Sequence, residues 1–172
     1  MVEQEEHETN KHFDSEFEKV DSGASLTFPL SIADVKKGTH ICLGENRPCK
    51  VMEITTSKTG KHGHAKANIT AIDIFNGRKF QDVCPVSHSK DSPIINRTEW
   101  TVMSVDDEGY VSLVDKQGKM RQDLKLPNEV EDDEVCSKRI IAGIESGKTV
   151  LVTVLSAMGI EKIEDAKESL EN

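Results

Sequence analysis

No stretch of the sequence approaches the roughly 18 to 20 consecutive apolar residues that a membrane-spanning helix requires, which excludes a helical integral membrane protein. The N-terminal MVEQEEHETNK is acidic where a secretory or organellar signal is basic and then apolar. The protein is therefore expected to stay in the cytosol, with no membrane partner. Cysteine is sparse: Cys42, Cys49, Cys84 and Cys136 are widely spaced and no CxxC pair occurs. Without an oxidising compartment a disulfide framework has nowhere to form, so free, mostly buried thiols are expected. Tight metal-ligand spacing is also missing. His62, His64, Cys84 and His88 are spread more loosely than the paired ligands of a closed zinc site. Hydrophobic residues make up 35% of 172 positions, enough for modest cores and for either one ordinary domain or two small ones.

A net charge of −9 argues at first against a nucleic-acid partner, but the charge is unevenly placed. Residues 1–21 carry net −6, residues 36–90 net +6, and residues 91–172 net −8. A cationic segment between acidic flanks suits a module that turns one face to a polyanion while the rest of its surface is repelled from it. A solvated charge run with no partner fits the same numbers.

The first twenty or so residues have four glutamates among the first eight positions and few apolar anchors, so they cannot offset their ordering entropy and are expected to be disordered. From Leu26 onward, short β-branched runs bounded by Gly, Pro and Asn read as strands over 39–43, 50–55, 67–75 and 79–84. Asn76-Gly77 between the last two signals a hairpin with a type I′ turn. The polar stretch SHSKDSPIIN, 87–96, coincides with the change of charge sign and is the expected domain boundary. Strands over 100–105, 110–114 and 119–126 then form a meander, followed by a helix over 135–144 and a buried strand over 149–155. That order is compatible with a small OB-type barrel, although pattern alone leaves other small barrels and sandwiches open. The charged segment 161–170 reads as a short or frayed helix.

Between the strands 50–55 and 67–75 lies TSKTGKHGHAK, with Lys58, Lys61, Lys66, His62 and His64 and no acid. Gly60 and Gly63 flank Lys61-His62, providing the backbone freedom of a tight tip and removing bulk around Lys61, which should project into solvent. The TGK triplet resembles the end of a phosphate-binding loop, but Thr55 stands where that motif needs Gly. His62 stands where it needs Ser or Thr, and a strand rather than a helix follows. His62 and His64 could titrate as an acid or base, yet no Ser, Cys or carboxylate in the loop completes a nucleophilic set. From the residues alone, an inert basic loop and an RNA-contacting one stay equally open.

The run SKTGKHGHAK over 57–66 resembles the modification loop of the eukaryotic translation initiation factor 5A family. RPCKV at 47–51, DIFNGRKFQDVCP at 73–85, the Leu-Pro of DLKLP at 123–127 and VTVLSAM at 152–158 resemble the same family at corresponding places. The acidic N-terminus, residues 35–46 and the end after Met158 follow the pattern less closely. The resemblance implies an all-β protein: an acidic tail over 1–22, an SH3-like barrel over 23–90 carrying the modification loop, and an OB-fold with one helix over 91–172. It also implies that Lys61 is converted to hypusine. Deoxyhypusine synthase would transfer an aminobutyl group from spermidine, using NAD, and deoxyhypusine hydroxylase would complete the side chain. The protein is then a substrate of enzymes rather than an enzyme, with no bound cofactor. Its partners would be the ribosomal exit site and peptidyl-tRNA, contacted by Lys58, Thr59, Gly60, His62, Gly63, His64 and Lys66. The expected activity is to promote peptide bond formation at difficult sequences such as proline runs, and termination. A general RNA-binding barrel with an unmodified loop is the alternative.

Overall fold

A computed structural model describes residues 25–170 except 59 and 62. The acidic tail expected over 1–22 lies outside the described residues, as do Thr59 and His62. The strands are β1 (Thr27–Ser31), β2 (His40–Leu43), β3 (Arg47–Lys58), β4 (Ala65–Asp73), β5 (Lys79–Pro85), β6 (Ser89–Pro93), β7 (Asn96–Val105), β8 (Tyr110–Val114), β9 (Met120–Lys125), β10 (Val150–Ala157) and β11 (Ile160–Glu168). The helix α1 (Glu131–Glu145) lies between β9 and β10, and a short 3-10 turn (Ile32–Asp34) follows β1.

In the first domain β2, β3, β4 and β5 form an antiparallel meander, and β1 pairs with β6 across its open side. The alternation of β4 explains the packing: Ala67, Ile69 and Ala71 face inward, and Lys66 and Asn68 face water. With Ile32, Ile41, Cys49 and Val51 they close a core in which every one of these side chains is buried. This is the SH3-like barrel. The Ser92 hydroxyl donates to the carbonyl of His40 at 2.7 Å, tying β6 back onto β2. The stretch read as a polar boundary therefore holds a strand of the first domain, and the chain crosses between domains at Ile94 and Ile95. Ser89–Pro93 escaped the strand pattern because its sequence, SKDSP, has no β-branched residue.

The second domain is a five-stranded antiparallel sheet in the order β11-β10-β7-β8-β9, with β9 and β11 approaching each other to roll it into an OB barrel. Its core joins Trp100, Val111, Leu113, Val152, Val154 and Ile163 to Cys136 and Ile140 on the inner face of α1. The four acids of the first helical turn, Glu131 to Glu134, sit at the positive end of the helix dipole.

Two expectations are corrected. The segment 161–170 is not a helix: Ile160–Glu168 is an edge strand on β10. Ile163 and Ala166 both face the core, a spacing of three that imitates a helix. A bulge produces it, because Val154 pairs with Ile163 and Thr153 with Asp165, leaving Glu164 as the extra residue. The hairpin at Asn76-Gly77 is not a two-residue type I′ turn. Only Gly77 has positive φ, at 72°, and the connection runs through five residues, 74–78, built on Asp73. The Asp73 carboxylate accepts the N–H of Phe75 at 2.8 Å and of Asn76 at 3.2 Å, while the Gly77 N–H donates to the Asp73 carbonyl at 3.0 Å. A side-chain acceptor thus does the work that positive φ at Asn76 was expected to do.

Candidate functional site

Strand β3 does not stop where the barrel stops. Its last four residues, Thr55 to Lys58, are all exposed, and they pair with the start of β4 through Thr55↔Asn68, Thr56↔Ala67, Ser57↔Lys66 and Lys58↔Ala65. A two-stranded arm results, and the expected loop 56–66 contracts to a tip of 59–64. Thr and Ser run easily as extended backbone with one face in water, so the ladder continues beyond the core. The arm is braced at its base: Lys66 pairs with Pro85 of β5, and the Val86 N–H donates to the Ala65 carbonyl at 3.0 Å. Pro85 and Val86 had no signal in the sequence that would have marked them as supports.

Lys58 and Lys66 are therefore strand residues. Directly paired residues share a face and neighbours alternate, so Lys58 lies on the face of Ala65 and Ala67, and Lys66 lies with Ser57 on the opposite one. At the tip Gly60 has φ of 70°, and nothing lies within 4 Å of where its Cβ would be. The Gly63 N–H closes the turn onto the Gly60 carbonyl at 3.3 Å. Lys61 and His64 are exposed, and Gly63 is half-buried. The arm presents one cation on each face and one at the end.

The ion pairs sharpen the contrast between the domains. In the second domain Arg97 pairs with Glu164, Arg121 with Asp123 and Glu161, Arg139 with Asp165, Lys148 with Glu168, Lys162 with Asp133, and Lys167 with Glu99. Those cations are largely neutralised in place. Among the described residues no carboxylate pairs with Lys58, Lys61 or Lys66. Their field is directed outward, where a polyanion would meet it.

The four thiols are free and buried. Burial pushes Cys49 and Cys136 up to about 11, with the carboxylates of Asp73 and Asp165 respectively adding to the effect. Among the described residues no three His, Cys, Asp or Glu side chains are grouped to hold a metal ion. No helix among them is long and apolar enough to cross a membrane.

The first domain is thus an SH3-like barrel extending a cationic arm, and it is joined to an OB barrel. Residues 25–88 match the family model "Translation initiation factor 5A-like, N-terminal", and residues 94–167 match "Eukaryotic elongation factor 5A hypusine, DNA-binding OB fold". The chain is 48% identical over 163 residues to eukaryotic translation initiation factor 5A of Zea mays, covering 95% of this chain and 94% of that one. It is 45% identical over 157 residues to eukaryotic translation initiation factor 5A-2 of Solanum lycopersicum, covering 91% and 93%. Among solved structures, a translation initiation factor eif-5a family protein from Naegleria fowleri superimposes with a TM-score of 0.75 at 48% identity, covering 83% of this chain and 99% of that one. Eukaryotic translation initiation factor 5A from Methanococcus jannaschii gives 0.62 at 28% identity, covering 83% and 96%. The chain belongs to the eukaryotic translation initiation factor 5A family.

Proposed function

We propose that Lys61 is the residue converted to hypusine, and that the arm carrying it enters the ribosomal exit site and contacts peptidyl-tRNA. The observation behind this reading is the position of Lys61: exposed at a glycine-bounded tip, without a carboxylate partner among the described residues, on an arm with a further cation on each face. Such an exposed lysine is accessible to a modifying enzyme. Deoxyhypusine synthase would transfer the aminobutyl group of spermidine to its Nζ, and deoxyhypusine hydroxylase would then act on the lengthened chain. Lysine alone is one strongly hydrated cation on a flexible stem; hypusine adds reach and a second positive centre, so two contacts along a phosphate backbone become available.

The protein's part in peptide bond formation is positional. Proline is a rigid secondary amine that sits poorly as donor or acceptor, and holding the acceptor end of peptidyl-tRNA still lowers the entropic part of the barrier. No proton passes through the factor. Stimulation is strongest at proline runs and extends to termination, in the cytoplasm where translation occurs. Lys58, Gly60, Gly63, His64 and Lys66, with Thr59 and His62, form the contacting surface around Lys61.

Peptide mass mapping of the protein from its native source, joined to a proline-run translation reporter, tests this. The expected result is a hypusine mass increment on Lys61 and loss of stimulation when the unmodified form is supplied. An unmodified Lys61 in fully active natural protein would leave a general RNA-binding barrel as the function.

A further inference from the structure

Lys162 belongs to β11 of the second domain, yet its ammonium sits in the junction with the first. Nζ pairs with Asp133 Oδ2 at 2.6 Å and donates to the main-chain oxygen of Phe75 at 2.9 Å. The two side chains are 12% and 4% exposed, so this is an interior contact. Asp133 Oδ2 also accepts the N–H groups of Glu129 at 2.7 Å and Val130 at 2.9 Å, and so orders the entry to α1. Phe75 lies in the turn between β4 and β5. One ammonium therefore ties together the turn of the first domain, the start of α1 and the edge strand of the OB barrel.

The surroundings add area without direction. Phe75 packs with Leu155 and Ala157, supported by Ile74, Ile95 and Ile160, across the two domains. Gly77 comes so near α1 that a Cβ there would stand 2.9 Å from Val130 Cγ1. Apolar burial tolerates small rotations, whereas a buried ammonium with two fixed acceptors does not. Strand β4 runs nine residues from the arm at Ala65 to Asp73, two residues before Phe75. That span is roughly 30 Å, so a tilt of about 10° at the junction carries the arm some 5 Å, approximately one strand spacing.

We propose that Lys162 is a positioning residue that fixes the OB barrel relative to the Lys61 arm. The junction geometry stands by itself; the consequence for translation rests on the proposed role of the arm. The test uses the full chain with spin labels on cysteines introduced at Asn68 and Lys116, both exposed, the native thiols being buried. The parent protein should give one narrow distance distribution, Lys162→Met one of roughly twice the width, and Lys162→Arg a restored one. Because Lys162→Met strands the Asp133 charge, a second variant, Lys162→Met with Asp133→Asn, removes that charge while leaving an oxygen for the Glu129 and Val130 N–H groups.

In the reporter assay, Lys162→Met carrying a fully modified Lys61 should need about tenfold more factor for half-maximal stimulation if one molecule in ten keeps the orientation. The plateau should stay the same, and Lys162→Arg should recover the response. Unchanged distance distributions in both Met variants overturn the proposal. A broadened distribution with an unchanged half-maximal concentration overturns the positioning role. Lys61→Arg is run alongside: if it is as active as the parent, the reading of the arm fails, while the distances still decide the role of Lys162.

Discussion

Arg47 Nε donates to Asp73 Oδ2 at 2.6 Å, joining the first residue of β3 to the last of β4 at the end of the barrel remote from the Lys61 arm. The Asp73 side chain is wholly buried, and Arg47 is about one-third exposed. Burial opposes ionisation of Asp73, but the Arg47 guanidinium and the N–H groups of Phe75 and Asn76 outweigh it and hold the carboxyl below its ordinary value. A carboxyl depressed in the folded state contributes stability above its unfolded pKa of about 4 and loses it as pH falls through the folded value. Asp73→Asn should therefore destabilise the first domain by about 2 kcal/mol at neutral pH, since the guanidinium left behind is partly solvated. The difference from the parent should shrink below roughly pH 4 as Asp73 takes up its proton. Thermal unfolding followed at pH 7 and pH 3 checks both statements; an equal loss at the two pH values would contradict the charge argument.

The buried cysteines give a second measurement. A thiol with a pKa of about 11, as at Cys49 and Cys136, is about one part in a thousand thiolate at pH 8, and burial raises Cys42 and Cys84 as well. A disulfide-exchange reagent should find none of the four within minutes in the folded protein and all four after denaturation. Rapid reaction of any one would show that its strand, or for Cys136 the helix, opens more readily than its burial implies.

Each domain has its own core, and the chain crosses between them at Ile94 and Ile95, so residues 94–172 expressed alone should unfold cooperatively as a β-rich domain. Circular dichroism and amide spectra of the fragment report this. Removal of the first domain uncovers Leu155, Ala157 and Ile160, so its midpoint should lie a few degrees below that of the whole protein. A random-coil spectrum would mean that the two barrels share one folding unit.

Most of the architecture was legible because it rests on local signals. β-Branched runs marked β4, β8 and β10, and TGKHGH marked the tip of the arm; α1 was expected over 135–144 but starts four residues earlier, at Glu131, because the acids that precede Val135 form its first turn. What escaped depended on partners distant in sequence. SKDSP becomes a strand only because β1 lies beside it, and the three-residue spacing of Ile163 and Ala166 reads as a helix unless the bulge opposite Thr153 and Val154 is known. Asn76-Gly77 carried a turn signal whose cause was misassigned: Asp73 shapes the turn, and Gly77 allows the approach of Val130 from the other domain. Nothing near Lys162 in the chain distinguishes it from the other lysines, since both of its acceptors come from elsewhere.

The Lys61 arm offers a comparison between neighbouring cations that separates modification from charge. Lys61→Arg keeps the charge at an exposed tip and should change stability by less than about 0.5 kcal/mol. Arginine cannot accept the aminobutyl group in place of lysine, so a proline-run reporter should lose nearly all stimulation. Lys58→Arg alters a strand residue on one face of the arm, paired with Ala65, and leaves Lys61 at the tip. It should still be modified at Lys61, as peptide mapping would show, and should keep most of the activity. A third substitution, Lys66→Ala, removes charge from the opposite face. If phosphate attraction alone carries the effect, Lys66→Ala should weaken stimulation, and added salt should mimic that loss while Lys61→Arg stays active. If hypusine carries it, Lys61→Arg is inactive at every salt concentration, and Lys66→Ala shifts only the amount of factor required. Equal activity of Lys61→Arg and the verified, modified parent would remove Lys61 from the centre of the mechanism.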